Sequence, residues 1–154
     1  MAEELKNKGY SLIATGEMGI GNTTTSSAVA SVLLNEEVEK MTGRGAGLSS
    51  EGMTRKINAI KKAIEINQPD PTDGVDVLSK VGGFDIAGMA GIFIGGAVYG
   101  VPIVIDGFIS AVAALAAARI CPLVKEYMLA SHVSKEPAAH LILEALGLSA
   151  PLHC

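Results

Sequence analysis

The chain has 154 residues, enough for one domain with its own core, with 49% hydrophobic and 18% charged residues and a formal net charge of −4. Together with a mean hydropathy of +0.39, this composition excludes disorder, and the lack of a basic block excludes a nucleic-acid surface. Aromatic residues make up only 4% and Trp is absent, so platforms for stacking bases or other planar ligands are scarce.

The opening MAEELKNKGY is charged and has no apolar stretch of the signal-peptide kind. Cys121 and Cys154 have no metal-ligand spacing, alone or with His132, His140 and His153. A reducing cytoplasmic setting fits both facts, and no metal or other cofactor is expected.

YSLIAT (10–15) reads as a short buried strand, and Thr23 to Leu34 as the helix after it, with Asn22 or Thr23 as N-cap. The stretch 41–52 reads as a glycine-rich loop. Met53, Ile57, Ile60 and Ile64 then recur at helical spacing up to the prolines of NQPDPTDG. VDVLSKVGG reads as a helical turn closed by Gly82, Ile86 to Val98 as a helix of small residues, and VPIVID as a strand. SAVAALAAARI is predicted helical, VKEYMLAS a third strand, and PAAHLILEAL a last helix ending at Gly147. The closing LSAPLHC reads as a loop.

Ile86 to Ile105 contains 20 uncharged residues, long enough to cross a bilayer. Five glycines crowd it, Pro102 breaks it, and neither flank carries a Lys/Arg cluster or an aromatic belt, which argues against a membrane span. Strand and helix instead alternate three times, and the strands are nearly continuous apolar runs. The expected fold is a single α/β domain over 1–154: three layers, α/β/α, around a mostly parallel, Rossmann-like sheet.

In such a sheet ligands bind at the carboxyl ends of the strands. Three predicted strands end in Glu17 with Gly19 and Gly21, in Asp106-Gly107, and in Ser131-His132. Gly16-x-x-x-x-Gly21-Asn22-Thr23 matches a phosphate loop except that Asn22 stands where the lysine belongs. Gly19-x-Gly21-x-x-Thr24 matches a dinucleotide fingerprint until its third glycine. What survives both failures is a set of backbone N–H groups at a helix N-terminus, suited to one phosphate. A monophosphate is therefore favoured over a triphosphate or a pyrophosphate. Glu17 would be awkward beside phosphate and suits sugar hydroxyls or a developing cation. Arg44, between two glycines, could add a contact to an anion. Lys56 lies at the edge of the apolar stripe, where it either reaches a ligand or is solvated. Asp106 and His132 are weaker candidates, the latter as an acid or base.

Six motifs in order, GEMGIGNTT, GRGAGLSSEG, RKINAIKKAIEINQPDP, DVLSKVGGFDIAGMAG, VPIVIDGFIS and YMLASHVSKEP, resemble the nicotinate-nucleotide–dimethylbenzimidazole phosphoribosyltransferase family along essentially the whole chain. The resemblance implies a homodimeric glycosyltransferase of cobalamin biosynthesis. Its reaction moves phosphoribose from nicotinate mononucleotide to 5,6-dimethylbenzimidazole, giving α-ribazole 5′-phosphate and nicotinate. By position it implies that Glu17 and Lys56 lie in the nicotinate-nucleotide site, that the loop Gly19, Gly21, Asn22 and Thr23 lies near the nucleotide, and that Gly107 and Ser131 lie near the ribose phosphate. Members of that family extend past both ends of the matching stretch. Their catalytic glutamate lies in a Gly-Glu-Gly segment just beyond the position of Cys154, and their N-terminal part helps enclose the benzimidazole. The chain is thus expected to be the central nucleotide-binding piece of a longer enzyme, with no catalytic residue identified in it and no turnover alone. The alternatives are a non-catalytic nucleotide-monophosphate binding module and a membrane-associated piece using residues 86–105.

Overall fold

A computed structural model describes residues 1–153; Cys154 lies outside the described residues. The elements in chain order are α1 (Ala2–Asn7), β1 (Ile13–Ala14), α2 (Thr23–Leu34), α3 (Val38–Met41), α4 (Ser50–Asn67), α5 (Gly74–Val81) and α6 (Phe84–Tyr99). They continue with β2 (Ile103–Ile105), α7 (Phe108–Ile120), a 3₁₀ helix (Pro122–Tyr127), β3 (Met128–Ala130), β4 (His132–Val133), α8 (Ala139–Leu146) and β5 (Leu152–His153).

The fold is α/β around a parallel sheet of order β1-β2-β3, with Ile13 opposite Ile103 and Ile103 opposite Met128. Paired residues of parallel strands share a face. Ile103, Ile105 and Met128 are buried on one face. On the other, Val104 is half-buried while Ala14 and Leu129 are exposed, Leu129 to 50%.

At the centre is α7, in which every residue from Phe108 to Ala118 is buried. Its alanines keep it thin, so α2, α5, α6 and α8 pack directly against it. α6 uses glycine in the same way. A Cβ on Gly96 would come within 2.7 Å of Ile103 Cδ1 and of the Val101 carbonyl oxygen. The helix ends with Gly100 at φ +67°, where the Val101 N–H donates to the Gly96 carbonyl at 2.8 Å. α8 closes on Gly147 in the same conformation. The uncharged stretch 86–105 is divided between α6 and β2, and among the described residues no helix is long and apolar enough to cross a membrane.

Several boundaries differ from the sequence expectation. The strand read over 10–15 pairs only at Ile13–Ala14, because Tyr10 to Leu12 run past the sheet's edge, exposed. The strand read over 124–131 is 3₁₀ helix up to Tyr127, nucleated by Pro122 at its first position, and extended only over Met128–Ala130. The loop read over 41–52 ends earlier, because Ser49 caps α4, its Oγ accepting from the Gly52 N–H at 3.1 Å. α1 and α3 were not expected, and the closing loop contains β5, paired in parallel with β4.

Two substitutions in α6 separate close packing from helix propensity. Gly96→Ala is expected to destabilise by about 1–3 kcal/mol, because backbone and Ile103 must move. Gly91→Ala, where a Cβ meets nothing within 4 Å, is expected to stabilise by about 0.5–1 kcal/mol. Midpoints of urea unfolding for the two variants, at unchanged m-value, check both.

Candidate functional site

Because the three strands are parallel, their carboxyl ends share one edge. There the Thr15 hydroxyl donates to the Val104 carbonyl at 2.9 Å and meets Ser110 Oγ, at 2.5 Å, on the first turn of α7. Ser131 Oγ lies 2.7 Å from the Ile105 carbonyl oxygen and 3.1 Å from that of Asp106. Both are acceptors only, so the single hydroxyl proton of Ser131 goes to them. His132 Nδ1, 2.9 Å from the same oxygen, must then donate. In the neutral imidazole this leaves Nε2 as the unprotonated nitrogen. Nε2 stands beside Gly107, 3.9 Å from where a Cβ would be. Asp106 Oδ2 lies 3.6 Å from the corresponding point on Gly16. The structure thus brings Gly16, Asp106, Gly107, Ser131 and His132 together.

The glycine loop leads from this edge into α2. Gly19 and Gly21 have φ of +78° and +82°, the left-handed region that favours glycine. Glu17 is exposed and turns back so that its Oε2 accepts from the Gly19 N–H at 2.5 Å. Asn22 occupies the N-cap position but caps nothing: its backbone is already helical, at φ −110° and ψ −1°. Its Nδ2 donates instead to Asp85 Oδ2 at 2.6 Å, on the first turn of α6. With no side-chain cap and no acidic residue in its first turn, α2 offers unspent N–H groups and the positive end of its dipole.

Lys56 is not solvated. It is 6% exposed, and its Nζ donates to Thr23 Oγ1 at 2.9 Å and to the Gly43 carbonyl at 3.0 Å. An ammonium has three N–H groups, so one remains unspent. Burial pulls its proton affinity below the ordinary lysine value, and the nearby Glu136 carboxylate opposes that. Gly45 packs on the same threonine: a Cβ there would lie 2.9 Å from Thr23 Oγ1. Arg44 is exposed, and its guanidinium ties its own loop together, Nη1 to the Leu48 carbonyl at 2.6 Å and Nη2 to Ser50 Oγ at 3.3 Å. It flanks a cleft of about 420 Å³ whose walls include Gly43, Met53 and Glu136. A roomier cleft of about 560 Å³ between α5 and α6, lined by residues such as Val75, Phe84 and Ile120, has no titratable side chain and so no means of acid–base or ionic chemistry.

Thr15, Ser110, Asp85 and Glu136 escape sequence reasoning, because each acts through a residue distant in the chain. The one available hint is GRG at 43–45, where glycines flank an arginine without any turn demanding both. Among the described residues no group of His, Cys, Asp and Glu could hold a metal ion.

The profile of a family described as phosphoribosyltransferase matches residues 1–154. The chain is 60% identical over 147 residues to the nicotinate-nucleotide–dimethylbenzimidazole phosphoribosyltransferase of Acetivibrio thermocellus, covering 96% of this chain and 42% of the relative. It is 58% identical over 151 residues to the protein of that name from Clostridium acetobutylicum, covering 98% and 43%. A crystal structure of CobT from Thermus thermophilus superposes with a TM-score of 0.92 at 37% identity, over 99% of this chain and 45% of that one. The chain therefore spans less than half the length of these relatives.

The burial of Lys56 has a consequence for stability. Lys56→Ala strips the Gly43 carbonyl of its donor and is expected to cost about 1–3 kcal/mol. Lys62→Ala, further along α4 and exposed, should stay within about 0.5 kcal/mol of wild type. Parallel thermal and urea melts of the two variants test the contrast.

Proposed function

Because the chain belongs to this phosphoribosyltransferase family, we propose that its sheet edge binds nicotinate mononucleotide and serves transfer of the phosphoribose to dimethylbenzimidazole. The products are α-ribazole 5′-phosphate and nicotinate. One observation carries the reading: an uncapped helix N-terminus, entered through two left-handed glycines, with a buried ammonium bonded to its first residue. Such an arrangement binds a single phosphate through backbone N–H groups and one cation, without the lysine of a triphosphate loop.

The chemistry asks little of the enzyme at the leaving group. The nicotinate nitrogen is already a pyridinium, so the ring departs without being protonated, and positive charge develops at C1′ of the ribose. Fixed carboxylates stabilise such a cation. Glu17 and Asp106 lie on either side of Gly16, one next to it in the chain and one across the strand end, and they supply that negative charge in this reading. His132 Nε2 and Ser131, beside Gly107, are placed for the ribose phosphate's remaining polar groups. The benzimidazole nitrogen attacks the opposite face of C1′ as its N–H proton is taken by a general base. Assembly as a homodimer and a cytoplasmic location belong to the same reading and rest on the resemblance.

The ligand preference tests it. Calorimetric titration of the chain is expected to give tighter binding of nicotinate mononucleotide than of NAD, because the loop lacks the third glycine of the dinucleotide fingerprint, the one that lets helix and strand pack closely. Tighter binding of NAD would overturn the reading.

A further inference from the structure

A buried ammonium normally has an anion in contact with it, since removing a charge from water is costly unless it is paired. Lys56 has two neutral partners, Thr23 Oγ1 and the Gly43 carbonyl. The carboxylate whose charge acts on Lys56 comes from the segment between β4 and α8. Glu136 there is half-buried, and its Oε2 is a buried atom with no hydrogen-bond donor. The carboxylate lies directly over the Cα of Gly43: a Cβ at that position would come within 2.8 Å of Glu136 Cδ and of Pro137 Cδ. Gly43 is thus held from two sides. Its carbonyl serves the cation, and its missing side chain makes room for the anion.

We propose that Glu136 is the positioning residue for Lys56, acting as its counter-ion across the backbone of Gly43 and keeping the ammonium charged for an anionic ligand. The ligand half of this inference rests on the proposed nucleotide reading; the ion pairing does not. Other charged groups around Lys56 are already committed or of the wrong sign. Arg44 of the 42–49 loop and Lys135 are cationic, as is the exposed Arg55 of α4. Glu17 is bonded to Gly19, Glu39 of α3 is paired with Lys61, and α2 carries no charged residue at all. Glu51, in the first turn of α4, is exposed. The Glu136 side chain makes no bond to the cap of α8, so helix capping does not account for its placement.

The sign is fixed by burial. Burial lowers the proton affinity of Lys56 and Glu136 raises it, so removing the carboxylate's charge moves the titration further down in pH. Above that point the site loses its cation, and anion affinity falls roughly tenfold per pH unit as the charged population does.

The test follows the Lys56 Cε resonance through an alkaline pH titration in lysine-labelled wild type and in Glu136→Gln, which keeps the shape over Gly43. Lys56 should titrate at lower pH in the variant, and the alkaline limb of nicotinate mononucleotide binding should move down by the same interval. In wild type alone, the Glu136 Cδ resonance should report the Lys56 midpoint, a readout that does not depend on the variant folding. An unchanged Lys56 titration in Glu136→Gln, or a Glu136 Cδ signal blind to the Lys56 midpoint, overturns the proposal. Failure of the wild type to bind nicotinate mononucleotide at any pH would overturn the nucleotide reading, while the two resonances would still decide the pairing.

Discussion

A helix without a polar face has to be covered on every side, and α7 is such a helix. That constraint organises the chain. α2, α5, α6 and α8 are drawn onto α7, and because its surface is mostly alanine they approach closely. Close approach demands small residues in return, supplied by Ala28, Ala30 and Ala90, all buried, and by Gly96 where α6 meets β2. The single hydroxyl in the buried run 108–118 is Ser110, and it sits in the first turn, where it meets Thr15 at the end of β1. The packing thus leaves the carboxyl edge of the sheet as a place where polar groups collect.

At that edge the side-chain hydroxyls are satisfied between neighbouring strands. Thr15, Ser110 and Ser131 all find carbonyl or hydroxyl partners. The buried side-chain atoms without a partner, among the described residues, are Asn22 Oδ1, Ser26 Oγ, Ser27 Oγ and Glu136 Oε2. Three belong to the start of α2 and the fourth to the cleft beside Lys56. Buried polar atoms are nearly always satisfied, so these four, three of them on Asn22 and the first two turns of α2, stand apart from the rest of the interior.

The sequence discloses what depends on neighbours in the chain and hides what depends on distant ones. Helical periodicity at Met53, Ile57, Ile60 and Ile64 locates α4, and Gly147 correctly ends α8, because both signals are local. The alternation of apolar strands and helices is enough for the parallel sheet. The side-chain roles are another matter. Asn22 has the composition of a cap, yet the carboxylate of Asp85, 63 residues away, takes its amide. From its own helix Lys56 lies at the edge of the apolar stripe, beside the exposed Arg55 and Asn58, which leaves both a ligand contact and solvation open. It lies on the row of Gly52 and Ile60, both buried, and what the helix alone does not show is that Gly43 and Thr23 take its ammonium. The strand over 124–131 fails for a related reason: apolar composition does not separate a strand from a 3₁₀ turn, and Pro122 favours the turn.

The distribution of charge across the site also has a direction. Cationic character gathers at one end, where the dipole of α2 and the ammonium of Lys56 meet at Thr23. Anionic character gathers at the other, where Glu17 and Asp106 flank Gly16. A phosphoribosyl group has the same polarity, with a dianionic phosphate at C5′ and a centre that becomes cationic at C1′. Laid along the edge in the matching sense, it meets attraction at both ends; reversed, it sets phosphate against two carboxylates and the developing cation against an ammonium. In the proposed transfer, the first orientation would favour the transition state over the ground state, because the charge at C1′ grows only as the glycosidic bond breaks.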